Sequence, residues 1–187
     1  MERYMAINKV SMSGRLYNAM AKFCGNPGPN PALDNMFFHN GRMYATDSYA
    51  ALRWTPCDGL VSEDGVDFCN NGEVINDFYF IPLKKFSASQ LITVSMYDFE
   101  IDAESKIPKN IDALFERNDK NSNVPILGIN PKYLANIAAL GKAVKSDKCG
   151  DGTVAIDWVG GVLHCHINGF QDGVFDIVVM PIVDKKR

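Results

Sequence analysis

Residues 35–46 have the sequence NMFFHNGRMYAT, in which two runs of apolar and β-prone residues flank Asn40-Gly41. Asn-Gly supplies the two positive-φ residues that a type I′ hairpin turn requires. The stretch therefore predicts an antiparallel strand pair formed by residues 35–39 and 42–46. Residues 49–55 continue the apolar pattern and predict a third strand.

A strand and a helix are predicted ahead of this strand set. Residues 4–8 have strand character, and Ser11 or Ser13 is a candidate N-cap for a helix that ends near Cys24, with Gly25 as its stop. The apolar residues of that helix recur at helical spacing, at Leu16, Ala19, Met20 and Phe23.

The same order returns later in the chain. Residues 125–130 predict a strand, Asn130 caps a helix with Pro131 at its first position, and residues 153–158, 162–168 and 174–182 predict three strands. The side chains expected on the buried face of this second helix are Tyr133, Leu134, Ile137, Ala138, Leu140 and Val144.

The chain therefore contains two strand–helix–strand–strand–strand units, at about residues 3–55 and 124–182. The predicted class is α+β, a single domain in which the helices lie on one face of antiparallel sheets. The insertion, about residues 56–123, is expected to hold a loop at 56–77, a strand at 78–81 and a short helical piece at 82–89. A hairpin over 91–102 and a helical turn at 111–115 follow.

Composition limits the function. The 187 residues are 47% apolar and 22% charged, and the formal net charge is −3. Nucleic acid binding would therefore require a local basic face on an acidic body. Five cysteines without CxxC spacing predict reduced thiols in the cytoplasm, and a disulfide between Cys57 and Cys69 has little support. No apolar run has the length of a membrane span, and no targeting signal is expected.

Four short stretches resemble the bacterial DNA sliding clamp, the DNA polymerase III beta subunit family. Residues 44–49 (YATDSY) are similar to its Ala-Thr-Asp-Gly-His strand junction, and residues 129–134 (INPKYL) and 80–84 (FIPLK) resemble its strand-to-helix entries. Residues 178–182 (VVMPI) are close to the Val-Val-Met-Pro-Met sequence near the end of that clamp. The resemblance implies the clamp fold, two βαβββ repeats per domain.

The resemblance implies two kinds of partner and no cofactor. Clamp helices contact the phosphates of double-stranded DNA, which assigns DNA binding here to Arg15, Lys22, Lys132, Lys142, Lys145 and Lys148. Ordinary solvated helix faces are the alternative for these cations. Clamps also dock short peptides of polymerases and clamp loaders, which assigns peptide binding to Tyr49, Ala51, Val178, Met180, Pro181 and Ile182. Core packing of Val178 and Met180 is the alternative there.

The chain departs from the family in two ways. Bacterial clamps have three such domains per chain, so a ring would need several copies of this one. Their two pocket walls come from adjacent domains, so these walls would have to come from two copies here, or would not meet. Ala50-Ala51 replaces the Arg-Leu of the family motif, which weakens the expected pocket. A division into one and a half domains, with 78–115 as a shortened repeat, is disfavoured because 82–89 is too short for a ring-lining helix.

Three hypotheses follow. The first is a DNA-associated processivity or replication-accessory factor that forms a homo-oligomer. The second is a stand-alone interaction module, of phage or mobile-element origin, that binds proteins and not DNA. An enzyme is the third and least favoured, because no nucleophile or phosphate-loop motif occurs.

His164 and His166 share one strand face, but no third ligand has a recognisable spacing, so no metal site is expected. Asp47 is expected to cap a turn.

Overall fold

A computed structural model describes residues 6–26, 31–39, 42–56, 66–67, 73–75, 78–81, 83–97, 111–116, 128–148, 150–169 and 173–182. Within these ranges the first half of the chain forms β1 (Ala6–Ser13), α1 (Gly14–Ala21), α2 (Pro31–Asp34), β2 (Met36–His39), β3 (Arg42–Thr46) and β4 (Ala50–Thr55). The middle forms β5 (Val66–Asp67), β6 (Glu73–Ile75), β7 (Phe78–Ile81), β8 (Leu91–Tyr97) and a 3-10 helix (Asp112–Phe115). The last part forms α3 (Pro131–Ser146), β9 (Val154–Val159), β10 (Val162–Asn168) and β11 (Val174–Val179).

The main sheet has eight strands in the order β6-β7-β2-β3-β4-β11-β10-β9, and every neighbouring pair is antiparallel. Three strands of the first sequence unit, β2-β3-β4, meet three strands of the second, β11-β10-β9, in mirrored order. The two units join where β4 pairs with β11, with Ala51 opposite Val178. A smaller sheet has the order β1-β8-β5.

Alternating side chains give the main sheet two buried faces. Leu52 and Trp54 of β4 and Ile177 of β11 belong to a large core cluster that includes the apolar sides of α1 and α3. Ala51 and Val178, one residue out of phase with them, belong to a smaller cluster on the opposite face. The two long helices therefore cover one face of the sheet, and other segments cover the other face.

The helices α1 and α3 pack against each other in antiparallel directions. Near the start of α1, Arg15 forms an ion pair with Asp147, which follows α3. At the other end, the Asn136 side chain of α3 donates a hydrogen bond to the Lys22 carbonyl. The cap of α1 is Ser13, whose hydroxyl accepts a hydrogen bond from the Leu16 amide, 3.0 Å away.

A short helical piece was expected at 82–89, but the described residues 83–90 form no helix. Their carbonyl groups instead accept hydrogen bonds from the first amides of α1, with Gly14 N 2.7 Å from Gln90 O. The Asn18 side chain also donates to the Phe86 carbonyl and accepts from its amide. The segment thus satisfies helix-start donors that have no partner within α1.

Several sequence expectations are wrong at the level of elements. The hairpin over 91–102 is contradicted because β8 continues through Met96 and pairs with β1 along its length. Residues 56–77 contain β5 and β6, and β6 pairs with β7. The last strand ends at Val179, three residues early. Leu134 and Ala138 are exposed on α3, whereas Asn136, Gly141 and Ala143 are buried in addition to the predicted Tyr133, Ile137, Leu140 and Val144.

Other expectations lie outside the described residues. These include the Asn40-Gly41 turn, the pairing of Cys57 with Cys69, and most of the strand predicted at 125–130, of which residues 128–130 have no regular structure. Cys24 and Cys165 are free and buried. Among the described helices, none has both the length and the apolar character of a membrane span.

Candidate protein-interaction site

The turn between β3 and β4 directs Tyr49 into solvent. Asp47 caps this turn as predicted: its Oδ1 accepts hydrogen bonds from the amides of Tyr49 and Ala50, at 3.1 and 3.0 Å. Ser48 adopts φ of 75°, in the left-handed region. As a result the Tyr49 side chain is 66% exposed, the highest value among the exposed large apolar residues described.

The segment after β11 runs beside this turn. Pro181 has no amide hydrogen to continue a strand, so the backbone leaves the sheet after Val179. The Met180 amide donates to the Tyr49 carbonyl at 2.8 Å, and the Ile182 amide donates to the Gly128 carbonyl at 2.9 Å. These bonds fix a segment whose Met180 and Ile182 side chains are 39% and 55% exposed.

Two cavities meet at Tyr49 and Met180, and together we call them the docking groove. The first, about 580 Å³, extends towards the start of α3, and its walls include Cys24, Asp47, Lys132, Tyr133, Pro181 and Ile182. The second, about 240 Å³, lies over the β4–β11 junction, and its walls include Leu33, Thr46, Ala50, Ala51, Ile111, Leu114 and Val178.

One buried carboxylate organises the polar part of the first cavity. Asp47 Oδ2 accepts hydrogen bonds from Lys132 Nζ at 2.9 Å and from the Tyr133 hydroxyl at 2.8 Å. Desolvation by burial pushes the pKa of Asp47 upwards, but the hydrogen bonds from Lys132, Tyr133 and the turn amides outweigh it and hold that pKa below its ordinary value. A charged Asp47 therefore joins the Tyr49 turn to the start of α3.

Cys24 contributes an uncharged surface to the same cavity. Burial is the largest cause that raises the pKa of its thiol, and the charges of Asp47 and Asp34 add to it, so that the pKa is about 12. Because the thiolate is the nucleophilic form, Cys24 has the character of an apolar wall at neutral pH.

The structure brings together all six residues predicted for peptide binding. Each lines at least one of the two cavities, and all belong to one chain: Tyr49, Ala51, Val178, Met180, Pro181 and Ile182. The two walls were expected to come from two copies of the chain or not to meet, but they meet within one chain. The core-packing alternative applies to Val178, which is 3% exposed, and not to Met180.

Sequence reasoning missed several groove residues. Tyr133 is in the core and Asp47 caps the turn, as predicted, but both also line the first cavity, which was not predicted. Ile111 and Leu114 belong to residues 111–116 of the insertion, and no local pattern specifies where these residues lie on the sheet. Ile111, Leu114 and Phe115 have the spacing of one apolar face of a helical turn. This spacing was the sequence signal that could have indicated packing of the turn on the sheet.

The residues predicted to bind DNA do not share one surface. Arg15 is paired with Asp147, and Lys132 is paired with Asp47 in the groove. Lys22 is exposed just after α1. Lys142, Lys145 and Lys148 form an exposed cluster at the end of α3, which we call the lysine cluster.

The two histidines of β10 lie in a third cavity with Asp157 and Asp176. His166 Nδ1 lies 2.9 Å from Asp176 Oδ1, and its Nε2 lies 2.7 Å from Asn168 Oδ1. Among the described residues, no group of three or more potential ligands is arranged to hold a metal ion.

Comparisons with known proteins leave the family open. No protein-family model matches the chain, and no curated protein matches its sequence. A solved structure that matches is that of a protein from Eubacterium rectale ATCC 33656 assigned as a DNA polymerase III beta subunit, with 8% identity and a TM-score of 0.20. The match covers 100% of this chain and 34% of that one, so this chain spans about a third of that protein's length. A TM-score this low assigns neither a family nor a function.

Proposed function

We propose that the chain is a replication-accessory protein that captures an extended peptide segment of a partner protein in the docking groove. The observation that carries the proposal is the convergence of the six residues named above on one groove. They come from the β3–β4 turn, β4, β11 and the segment after it, and the resemblance to sliding clamps assigns peptide binding to the same positions.

The shape of the groove favours a peptide over a compact ligand. Two separate cavities share Tyr49 and Met180, so one occupant can fill both only if it spans them. An extended peptide does so with two apolar side chains, one in each cavity. Exposed apolar residues that surround a concave surface are typical of such interaction sites.

The test begins with a displayed library of random short peptides, from which those that bind the wild-type protein are selected. The affinity of a selected peptide is then measured by fluorescence anisotropy on wild type, Met180→Glu and Ile182→Glu. We expect each substitution to weaken binding by about tenfold or more, because a charge enters an apolar contact.

Ile156→Glu is the matched control, since Ile156 is also an exposed apolar residue, 61% exposed, on the edge strand β9. This control should bind the peptide as wild type does. Equal affinity of the groove variants and the control would contradict the proposal.

DNA binding is a second candidate function, favoured by the lysine cluster. Lys142 and Lys145 are three residues apart and so share one face of α3, and Lys148 follows the helix. The docking groove lies at the other end of α3, beside Asn130 and Lys132. A 16-residue helix is about 24 Å long, so DNA and a peptide would not compete for one surface.

Titration of a labelled DNA duplex at several salt concentrations tests this second function. The logarithm of the DNA affinity falls linearly with the logarithm of the salt concentration. Replacement of the three cluster lysines by alanine should make this slope shallower by about one unit for each lysine that contacts phosphate. Lys84→Ala with Lys85→Ala is the control, because both are exposed and lie outside the cluster. Absence of duplex binding by wild type at low salt would leave the interaction module as the function.

A further inference from the structure

One wall of the docking groove comes from neither the main sheet nor α3. It comes from residues 111–116, which we call the connector turn and which contain the 3-10 helix Asp112–Phe115. We infer that the connector turn determines which side chain the second cavity accepts, and that Asp112 is the residue that positions this turn. The inference rests on the proposed function, since it concerns the specificity of the same groove.

The connector turn has an anchored side and a groove side. Ile111 and Phe115 are buried, and they pack with Phe37, Tyr44, Ala51 and Val178 on the sheet face opposite the helices. Leu114 is 39% exposed and lines the second cavity beside Ile111. The position of Leu114, and with it the width of the cavity, therefore depends on how firmly the turn is held.

Asp112 provides the polar part of that attachment. Its Oδ1 accepts hydrogen bonds from Arg42 NH1 at 3.0 Å, from the Tyr44 hydroxyl at 2.8 Å and from Arg53 NH1 at 3.0 Å. The three donors belong to the adjacent strands β3 and β4. Because hydrogen bonds to a charged group are stronger than neutral ones, one carboxylate fixes the turn to two strands.

Arg53 connects this attachment to the next strand and to the turn's own aromatic ring. Its Nε and NH2 donate to Asp176 Oδ2 of β11, at 3.2 and 2.9 Å. Its guanidinium also lies over the Phe115 ring, 4.5 Å from the centroid. The Arg53 side chain is only 17% exposed, so solvent screens these interactions less than it would at an open surface.

Small residues of the sheet leave the space that the turn fills. Ala51 faces the second cavity, and its small side chain leaves space over the sheet. Ile111 and Leu114 of the connector turn line that space, so the turn and not the strand supplies the large side chains of this wall.

The first experiment follows the connector turn without any peptide. Amide hydrogen exchange of residues 111–116 is compared in wild type, Asp112→Ala and the control Asp151→Ala, an exposed carboxylate in the turn before β9. We expect exchange about tenfold faster in Asp112→Ala alone, because charge-assisted bonds to the sheet are lost. Unchanged exchange would overturn the positioning role of Asp112.

The second experiment measures specificity with the peptides selected on the wild-type protein. Leu114→Ala widens the second cavity and should shift the preferred anchor to a larger side chain, and Leu114→Phe should shift it to a smaller one. Asp112→Ala should lower the affinity for a peptide selected on the wild-type protein by about tenfold. Asp112→Asn should lower this affinity by less, since the asparagine side chain keeps an acceptor. An unchanged preference in both Leu114 variants would overturn the inference, even if the Asp112 variants fail to fold.

The outcomes separate this inference from the proposed function. Loss of peptide binding in Met180→Glu, with no effect of Asp112→Ala or the Leu114 variants, refutes the role of the connector turn and retains the groove. If Met180→Glu leaves the peptide affinity unchanged, the groove is not the peptide-binding site. The role of the connector turn in specificity is then refuted as well, whatever the hydrogen-exchange experiment shows.

Discussion

Asp47 is the residue that joins the two sequence units at the docking groove. One of its oxygens caps the turn that carries Tyr49, and the other accepts from Lys132 and Tyr133 at the start of α3. We expect Asp47→Ala to lower the free energy of unfolding by about 2 kcal/mol, because four donors, two of them on the buried residues Ala50 and Tyr133, lose their acceptor. Urea denaturation at neutral pH measures this loss.

The same variant predicts a pH dependence. Because the pKa of Asp47 is lowered by folding, its stabilisation is complete above the ordinary aspartate pKa and is lost as the pH falls through the folded value. The stability difference between wild type and Asp47→Ala should therefore narrow below about pH 4. A difference that stays constant down to acid pH would contradict this.

At the scale of elements, short sequence motifs predicted the features that are set by residues adjacent in the chain, namely one strand pairing and two helix starts. The Asn-Gly pair between apolar runs predicted the pairing of β2 with β3, which the structure confirms. Asn130-Pro131 predicted the start of α3, and the Asn130 side chain does accept from the Lys132 amide. Ser13 was one of two candidate caps for α1, and the structure selects it.

Elements whose position depends on distant partners were not predictable in this way. Residues 83–90 have a composition compatible with a helix, but their carbonyls bind the start of α1, about seventy positions earlier. The groove shows the same division. Tyr49 and Met180 were named from short motifs, whereas Leu114 joins them through the connector turn, which contacts the sheet through Asp112 and the buried Ile111 and Phe115.

At the scale of the whole molecule, the mirrored order of β2-β3-β4 and β11-β10-β9 decides where the groove lies. The last strands of the two units pair, so the turn before β4 and the segment after β11 are side by side in a single chain. The bond from the Met180 amide to the Tyr49 carbonyl is the direct consequence. Assembly of several copies is therefore not needed to bring the two walls together. Among the described strands, β9 is at the edge of the main sheet.

This arrangement predicts that peptide binding is independent of self-association. Multi-angle light scattering at low and high salt, with and without a DNA duplex, gives the mass of each species, and anisotropy gives its peptide affinity. We expect one bound peptide per chain, with the same affinity whether the chain is monomeric or assembled, since both walls belong to one chain. An affinity that appears only in an assembled species would show that a second copy completes the groove.

A ring-sized species that retains DNA at low salt and releases it at high salt would add the clamp function, through the lysine cluster, to a groove that each chain already contains.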